Sequence, residues 1–409
     1  MTPDLARRAG SFAICAFAAT VPLTIAGANM SWALLAASLT ALLAVKGEVR
    51  WASRKSALEN PLLFFLAVSI LTTALGTDPA HSIRYTHQDV HKVWIYYLLM
   101  VAIASCPTRA WKAWLTAGFA VAAVIGIAQA VPTFFLHIPA EQKVRAHAFV
   151  HPVTYGGQMA VALIGAVAVL CAPDERRPEL KRLAALGAVL FAIALFFSNT
   201  RAAILSAIAG LCAVFVIIPR LRKWVFLMIP TSILAIAVLE IVMPERALIA
   251  PLVRAVRTGN TDNQQLLRFQ LWDGAIQMAK DHPLTGVGHN NFREEFPKYV
   301  DTVFDDGRKS FGTAHNLFFQ HLAERGILGL AASFWLFGAL LLEAWRRSRH
   351  KQTAMNLWAL GVSVAFLTQN MTEVALQVEI LWLLVFFVWI AAEIEYKESL
   401  KPHRLGDEQ

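Results

Sequence analysis

The chain of 409 residues is 57% hydrophobic and 16% charged, against about 45–50% apolar and about 25% charged residues in soluble domains, and its mean hydropathy of +0.51 excludes a string of soluble domains. A formal charge of +9 would in a soluble protein suggest a nucleic-acid partner, so its distribution along the chain decides its meaning. Cys15, Cys106, Cys171 and Cys212 lie in or at the ends of apolar stretches without paired spacing, which excludes a disulfide framework and a cysteine-based zinc site.

In chain order, Arg7 and Arg8 precede an apolar run as in a signal peptide, but residues 11 to 26 lead directly into a second run, the pattern of a retained span. A helix crossing lipid needs about 20 mainly apolar residues, because nothing there can satisfy a free backbone group. The segments 11–27, 30–46, 61–76, 92–106, 111–131, 155–172, 183–197, 202–218, 224–243, 326–345, 354–371 and 379–396 fit this description. The predicted fold is therefore all-α, a polytopic integral membrane protein of about 12 transmembrane helices.

Basic residues set the orientation. They collect in alternate connections, from Arg7 and Arg8 through Lys46–Lys55, Arg109 and Lys112, Arg176–Arg182, Arg220–Lys223 and Arg346–Lys351 to the tail. The short connections on the opposite side hold only Arg84, Lys92, Lys143, Arg145 and Arg201. Both termini are expected in the cytoplasm. The exception in length is 244–313, a polar outer loop in which acidic and basic residues are equal in number. The positive excess thus belongs to the cytoplasmic face and records topology, not a nucleic-acid site. The expected division is 1–243 with transmembrane helices 1 to 9, 244–313 as the large periplasmic loop, 314–396 as an interfacial helix plus helices 10 to 12, and 397–409 as a cytoplasmic tail. Within the loop, Leu266, Leu267, Phe269, Leu271, Trp272, Ala275, Ile276 and Met278 form an amphipathic helical stripe closed by Pro283 and Gly286.

The chemistry is expected on this outer side. Arg201 follows the short turn Ser198-Asn199-Thr200 between two apolar helices; it reads either as an interfacial snorkelling residue or as an anion site, since a guanidinium grips phosphate with two parallel hydrogen bonds. Arg268 lies one turn before Trp272 on the loop helix, as a solvated face or a second anion contact, with Arg254, Arg257 and Arg293 as alternatives. His315 follows Thr313, read here as a helix N-cap, which puts the imidazole in a first turn that favours its neutral form and a nearby phosphate. A hydrogen-bonded structural histidine is the other reading. His87 with His91, and His147 with His151, are four apart, but no carboxylate motif accompanies them, so no metal site is expected. Glu240, Glu324 and Arg325 read as an ion pair or interface anchors. Gly286 and Gly288 follow no strand and read as turn glycines rather than a dinucleotide fingerprint. Gln129, Gln158 and Glu240 leave a transporter as the competing class, against which stands the lack of an inverted repeat.

Four stretches together resemble the O-antigen ligase and polymerase superfamily. Arg268-Phe269-Gln270-Leu271-Trp272, followed by Pro283-Leu284-Thr285-Gly286-Val287-Gly288-His289-Asn290-Asn291-Phe292, is similar to the family's Arg-x-x-x-Trp helix and Pro-Leu-x-Gly-x-Gly-x-x-x-Phe turn. Ala314-His315-Asn316 with Glu324-Arg325-Gly326-Ile327-Leu328-Gly329 is similar to its His-Asn helix and Glu-x-Gly-x-x-Gly ending. Ser198-Asn199-Thr200-Arg201-Ala202 and the stretch from Arg145 to Pro152 match more weakly, and the first hundred residues match only as hydrophobic spans. The resemblance implies a GT-C-like, metal-independent and inverting glycosyltransferase without a cofactor, in the bacterial inner membrane with a periplasmic site. It implies a glycan on undecaprenyl diphosphate as donor and lipid A-core as acceptor, among membrane lipids and without nucleic acid; a polymerase would instead transfer to another lipid-linked repeat. On these positions it makes His315 the catalytic histidine and Arg201 and Arg268 the diphosphate arginines, with Arg145, Arg293, His289 and Asn316 as further candidates. Glu294 or Asp273 would be the base if His315 bound phosphate instead.

Overall fold

Proline and a preceding polar cap start many of the helices, because a missing N–H is harmless at the first turn and a side-chain oxygen satisfies the next amides. In the computed structural model, which describes residues 2–45, 47, 49–50, 56–135, 144–228, 230, 264–301 and 311–401, this pattern opens α1 (Pro3–Thr20, capped by Thr2) and α4 (Pro79–Ser105, capped by Asp78). It also opens α6 (Pro152–Cys171), where His151 Nδ1 accepts from the Val153 amide. The other elements are α2 (Ile25–Ala44), α3 (Glu59–Leu75), α5 (Trp111–Phe135), α7 (Pro178–Phe197), α8 (Arg201–Ile217), α9 (Gln264–Asp281), the single turn α10 (Phe292–Glu295), α11 (Leu317–His350), α12 (Ala354–Asn370) and α13 (Glu379–Ser399). No strand occurs among the described residues.

Among the described residues, five helices are long and apolar enough to cross a membrane: α2, α5 (over Trp111–Thr133), α6, α7 and α11, with α3 and α8 as shorter apolar helices. On α7, Leu183, Leu186, Val189, Ile193 and Phe196 are all exposed. Such a stripe is adverse in water but neutral against lipid tails. In contrast, α13 is buried all round from Ile380 to Glu393, as expected of a helix apolar on every side. It packs against α4, α6 and α12, and α12 in turn packs on α6, α8 and α11. These contacts make one helical bundle whose centre is α13.

The structure departs from the predicted segments in two places for local reasons. α1 starts at Pro3, well before 11, because Thr2 and Pro3 already supply a start signal and nothing breaks the helix until Thr20. α4 starts at Pro79, so Arg84 and Lys92 belong to a helix and not to a loop; Lys92 is buried with its Nζ 2.9 Å from Asp89. The predicted segment 224–243 falls largely outside the described residues, as do Arg254, Arg257, Glu240 and the loop residues 244–263 and 302–310.

Hydrogen bonds sort the connections into two ends of the bundle. At one end Arg220 donates to the Cys171 carbonyl, Gln352 to that of Ile217, Lys351 to that of Ser399, and Lys112 pairs with Glu395 at 2.6 Å. At the other end, Arg145 reaches the 198–200 turn, Asn316 the Met371 carbonyl, and the Thr77 amide the Val287 carbonyl. The basic connections thus share one end, and the motif-bearing ones share the other.

Candidate active site

The α9 stripe buries only part of what its pattern promises. Leu271, Ala275 and Met278 join Val287, Phe292, Phe296, Ala314 and Ala323 in a small second core, while Phe269 and Ile276 stay exposed. Trp272, at the edge of that core, stacks on Phe319 with ring centres 5.1 Å apart, and its Nε1 donates to the Ala314 carbonyl at 3.0 Å. Gln320, one turn into α11, accepts from the Ala314 amide at 2.6 Å. Both polar groups of residue 314 are therefore held by side chains, and the next residue, His315, is held at φ +48°. A non-glycine residue there is uncommon and persists only where its surroundings enforce it.

The N-cap of α11 is Asn316 and not Thr313: its Oδ1 accepts from the Phe318 and Phe319 amides at 2.9 and 3.2 Å. His315 therefore precedes the helix instead of lying in its first turn, and those two amides are already satisfied by Asn316. The Asn316 side-chain amide also donates 2.9 Å to the Met371 carbonyl, which brings the turn after α12 alongside His315. Glu373 stands in that turn. Its Oε2 lies 3.1 Å from His315 Nδ1, and its Oε1 accepts from Arg268 Nη2 at 3.2 Å. All three side chains are partly exposed.

Arg145 spans the 198–200 turn. Its Nε donates to the Ser198 carbonyl at 2.9 Å and its Nη2 to Thr200 Oγ1 at 2.8 Å and the Asn199 carbonyl at 3.3 Å. Burial pushes its pKa down, and the Glu373 charge opposes that, so Arg145 shares an electrostatic environment with the Glu373 site. Arg201 is the next residue beyond this turn, exposed at the first position of α8. Among the described residues, the non-glycine positions of positive φ are Ala148, Asn199, Asn290 and His315, and each lies in one of the four motif stretches.

Two of the candidate residues are placed elsewhere. Arg293 is exposed on α10. His289 is buried, with Nδ1 3.6 Å from Asp89 Oδ2; Asp89 also accepts from Arg325 Nη2 at 2.6 Å and from Ser69 Oγ at 2.6 Å. Arg325 is thus paired with Asp89 of α4, while Glu324 accepts from Gln320 at 2.8 Å. Of the carboxylates considered as bases, Asp273 accepts from Gln277 at 2.6 Å and Glu294 lies 3.9 Å from His81. Among the described residues no group of three or more His, Cys, Asp or Glu is arranged to hold a metal ion.

Burial first, and the Arg325 charge second, hold the His289 pKa down to about 3, with Asp89 opposing and Lys92 and His87 adding to the shift. An unfolded histidine protonates near about pH 6.5, so below that pH the unfolded chain binds more protons than the folded one and stability falls as pH is lowered toward the folded value. The melting temperature in detergent is therefore expected to drop between pH 7 and pH 5, and less so in His289→Gln. An equal drop in the variant would assign the effect to another group.

The Pro-Leu-x-Gly-x-Gly turn and the Glu-x-Gly segment interlock. The Ile327 amide donates to the Pro283 carbonyl, and the Val287 and Gly288 amides to the Ala323 and Glu324 carbonyls, each at 2.9 Å. This crossing is possible because α11 breaks at Gly326, with φ 60° and ψ −157°, a region essentially restricted to glycine. A Cβ at Gly326 would overlap the Leu284 carbonyl group and lie 2.7 Å from the Pro283 oxygen; one at Gly286 (φ +65°) would overlap the Ala323 oxygen. Gly326→Ala should accordingly destabilise the protein by about 2–4 kcal/mol, seen as a clear fall in melting temperature. Gly338→Ala, in the same helix with nothing within 4 Å of the new methyl, is the control and should stay within about 1 kcal/mol of the wild type. Equal effects would show that the crossing does not govern stability.

Residues 186–334 match the family model described as O-antigen ligase. The match supports an O-antigen ligase family member. It takes in Arg201, Arg268, His289, Arg293, His315 and Asn316, the interlocked turn and the Gly326 break; Arg145 and Glu373 lie outside its bounds. A comparison with curated proteins finds no match. Over residues 186–334 the chain is thus similar to the O-antigen ligase family, and its several helices long and apolar enough to cross a membrane give it the character of a multi-pass membrane protein.

The residue that reading the sequence missed is Glu373. Its signal was nevertheless present, since an acidic side chain in a short connection between two apolar helices is the same kind of feature that singled out Arg201.

Proposed function

We propose that the protein is an O-antigen ligase that transfers a glycan from undecaprenyl diphosphate to a sugar hydroxyl of lipid A-core. The observation that carries this reading is the meeting of Arg268 and His315 at Glu373, with Arg145, which shares their electrostatic environment, bracing the turn that leads to Arg201. Breaking the sugar–diphosphate bond puts negative charge on the leaving group, and arginines fixed in a partly water-shielded site stabilise that charge as it develops. Arg268 and Arg201 supply this stabilisation without a metal ion. The attacking hydroxyl must lose a proton, and His315 accepts it as general base. Attack on the face opposite the leaving group gives inversion at the anomeric carbon.

The bundle is of GT-C-like type with about twelve spans, divided as 1–243, 244–313, 314–396 and 397–409. Clustering of the basic connections at the end opposite the site supports termini in the cytoplasm and a site on the periplasmic face of the inner membrane. The test is incubation of the purified full chain in detergent with undecaprenyl-diphosphate oligosaccharide and lipid A-core. Glycosylated lipid A-core is the expected product. Lengthened lipid-linked chains would instead assign a polymerase, and transbilayer movement without product a transporter.

A further inference from the structure

Glu373 carries more of the chemistry than a surface ion pair. An ionised carboxylate only accepts hydrogen bonds, so the 3.1 Å contact between Glu373 Oε2 and His315 Nδ1 requires Nδ1 to carry the proton. That leaves Nε2 as the unprotonated nitrogen of the neutral ring. The carboxylate is not needed to form its own turn. The Glu373 amide donates to the Gln369 carbonyl at 2.9 Å, Asn370 Oδ1 accepts from the Leu376 amide at 2.9 Å, and Asn316 holds the Met371 carbonyl. The side chain is thus presented by a turn fixed through other bonds, with one oxygen on His315 and the other on Arg268.

We infer that Glu373 is a positioning residue for the transfer proposed above: it fixes the His315 tautomer whose Nε2 takes the acceptor proton, and it aims the Arg268 guanidinium. The inference rests on the reading of His315 as base. In the step, the hydroxyl oxygen forms its bond to the anomeric carbon as its proton passes to Nε2. The bond from that carbon to the diphosphate oxygen breaks, and its electron pair leaves with undecaprenyl diphosphate. Glu373 stays ionised throughout and faces the imidazolium so formed. With both oxygens engaged by Arg268 and His315, Glu373 is itself poorly placed to be the base. One Arg268 amino group rests on Glu373, and the rest of the fork remains for phosphate.

The experiment compares wild type, His315→Ala, Glu373→Gln, Glu373→Asp and the His315→Ala/Glu373→Gln double variant, all as full chains, with undecaprenyl-diphosphate oligosaccharide and lipid A-core. Glu373→Gln keeps the shape and loses the charge; kcat should fall about tenfold or more, within the range that general-base catalysis supplies, while donor KM changes by less than about twofold. In the His315→Ala background the same change should alter the residual rate by less than about twofold, because the amide oxygen left by Glu373→Gln can still accept from Arg268 and the tautomer effect acts only through His315. Glu373→Asp, which keeps the charge but shortens the reach, should retain the melting temperature with kcat between wild type and Glu373→Gln, and it substitutes as the test if Glu373→Gln does not fold. Wild-type kcat in Glu373→Gln, or an equal loss in the absence of His315, overturns the inference while leaving the ligase reading intact. Absence of product from the wild type itself would overturn the reading on which it rests.

Discussion

Glycan transfer in His315→Ala should fall by about 10²–10⁴-fold in kcat, the contribution of a positioned general base, while donor KM stays near that of the wild type. The expectation follows from how much of the structure is spent on this one residue. Trp272 and Gln320 hold both polar groups of Ala314, Asn316 caps the helix that follows, and Glu373 engages Nδ1. None of these bonds uses the Nε2 atom. Removing the imidazole loses only the Glu373 contact and leaves the bonds of Trp272, Gln320 and Asn316 in place, so the variant should still fold and bind donor. His315→Gln is the sharper comparison: glutamine fills similar space and makes hydrogen bonds but cannot take up a proton near neutrality. Substantial activity in that variant would remove His315 from the role of base and return attention to phosphate binding. Steady-state transfer rates together with donor binding by the inactive variants decide between these outcomes.

Arg268→Lys should lose about 10²-fold in kcat/KM although the charge is kept, a loss of the size seen when one donor to a developing oxyanion is removed. A guanidinium can donate from one amino group to Glu373 and from its other nitrogens to a diphosphate; an ammonium is a single point of charge on a flexible stem and cannot hold that geometry. The 3.2 Å contact from Nη2 to Glu373 fixes the plane of the fork, and Trp272, one turn along α9, anchors the helix to Ala314. The loss should appear with long and short glycan donors alike, because the diphosphate is common to both. A fully active lysine variant would contradict the diphosphate role and reduce Arg268 to a structural partner of Glu373.

Much of the architecture was legible from residue type and order alone. Runs of apolar residues mark the helices, since backbone groups in lipid must be satisfied within one segment, and the sorting of Lys and Arg into alternate connections matches the two ends into which hydrogen bonds gather the loops. Cap signals such as Asp78-Pro79 are equally readable, yet hydropathy alone confines α4 to 92–106, because Arg84 and Lys92 have the character of loop residues. In the structure Lys92 lies inside because Asp89 pairs with it. The position of Asn316 shows a related limit. Thr313 and Asn316 are both good cap residues, and the choice between them was made by the contacts of Ala314 with Trp272 and Gln320 and by the Asn316 bond to Met371, none of which local sequence encodes.

The sequence by itself determined the helices, their membrane character, and Arg201, Arg268 and His315 as candidates, because hydropathy, helix caps and charge near an apolar run act over a few neighbouring residues; Arg145 and Asn316 were added by the family resemblance alone. Tertiary structure alone decided that Glu373 joins Arg268 to His315 across 105 and 58 positions of chain, that Arg325 pairs with Asp89 across 236, and that His289 leaves the site for that buried pair. A hydrogen bond between residues so far apart depends on which helix faces pack together, and that choice is made by the whole bundle.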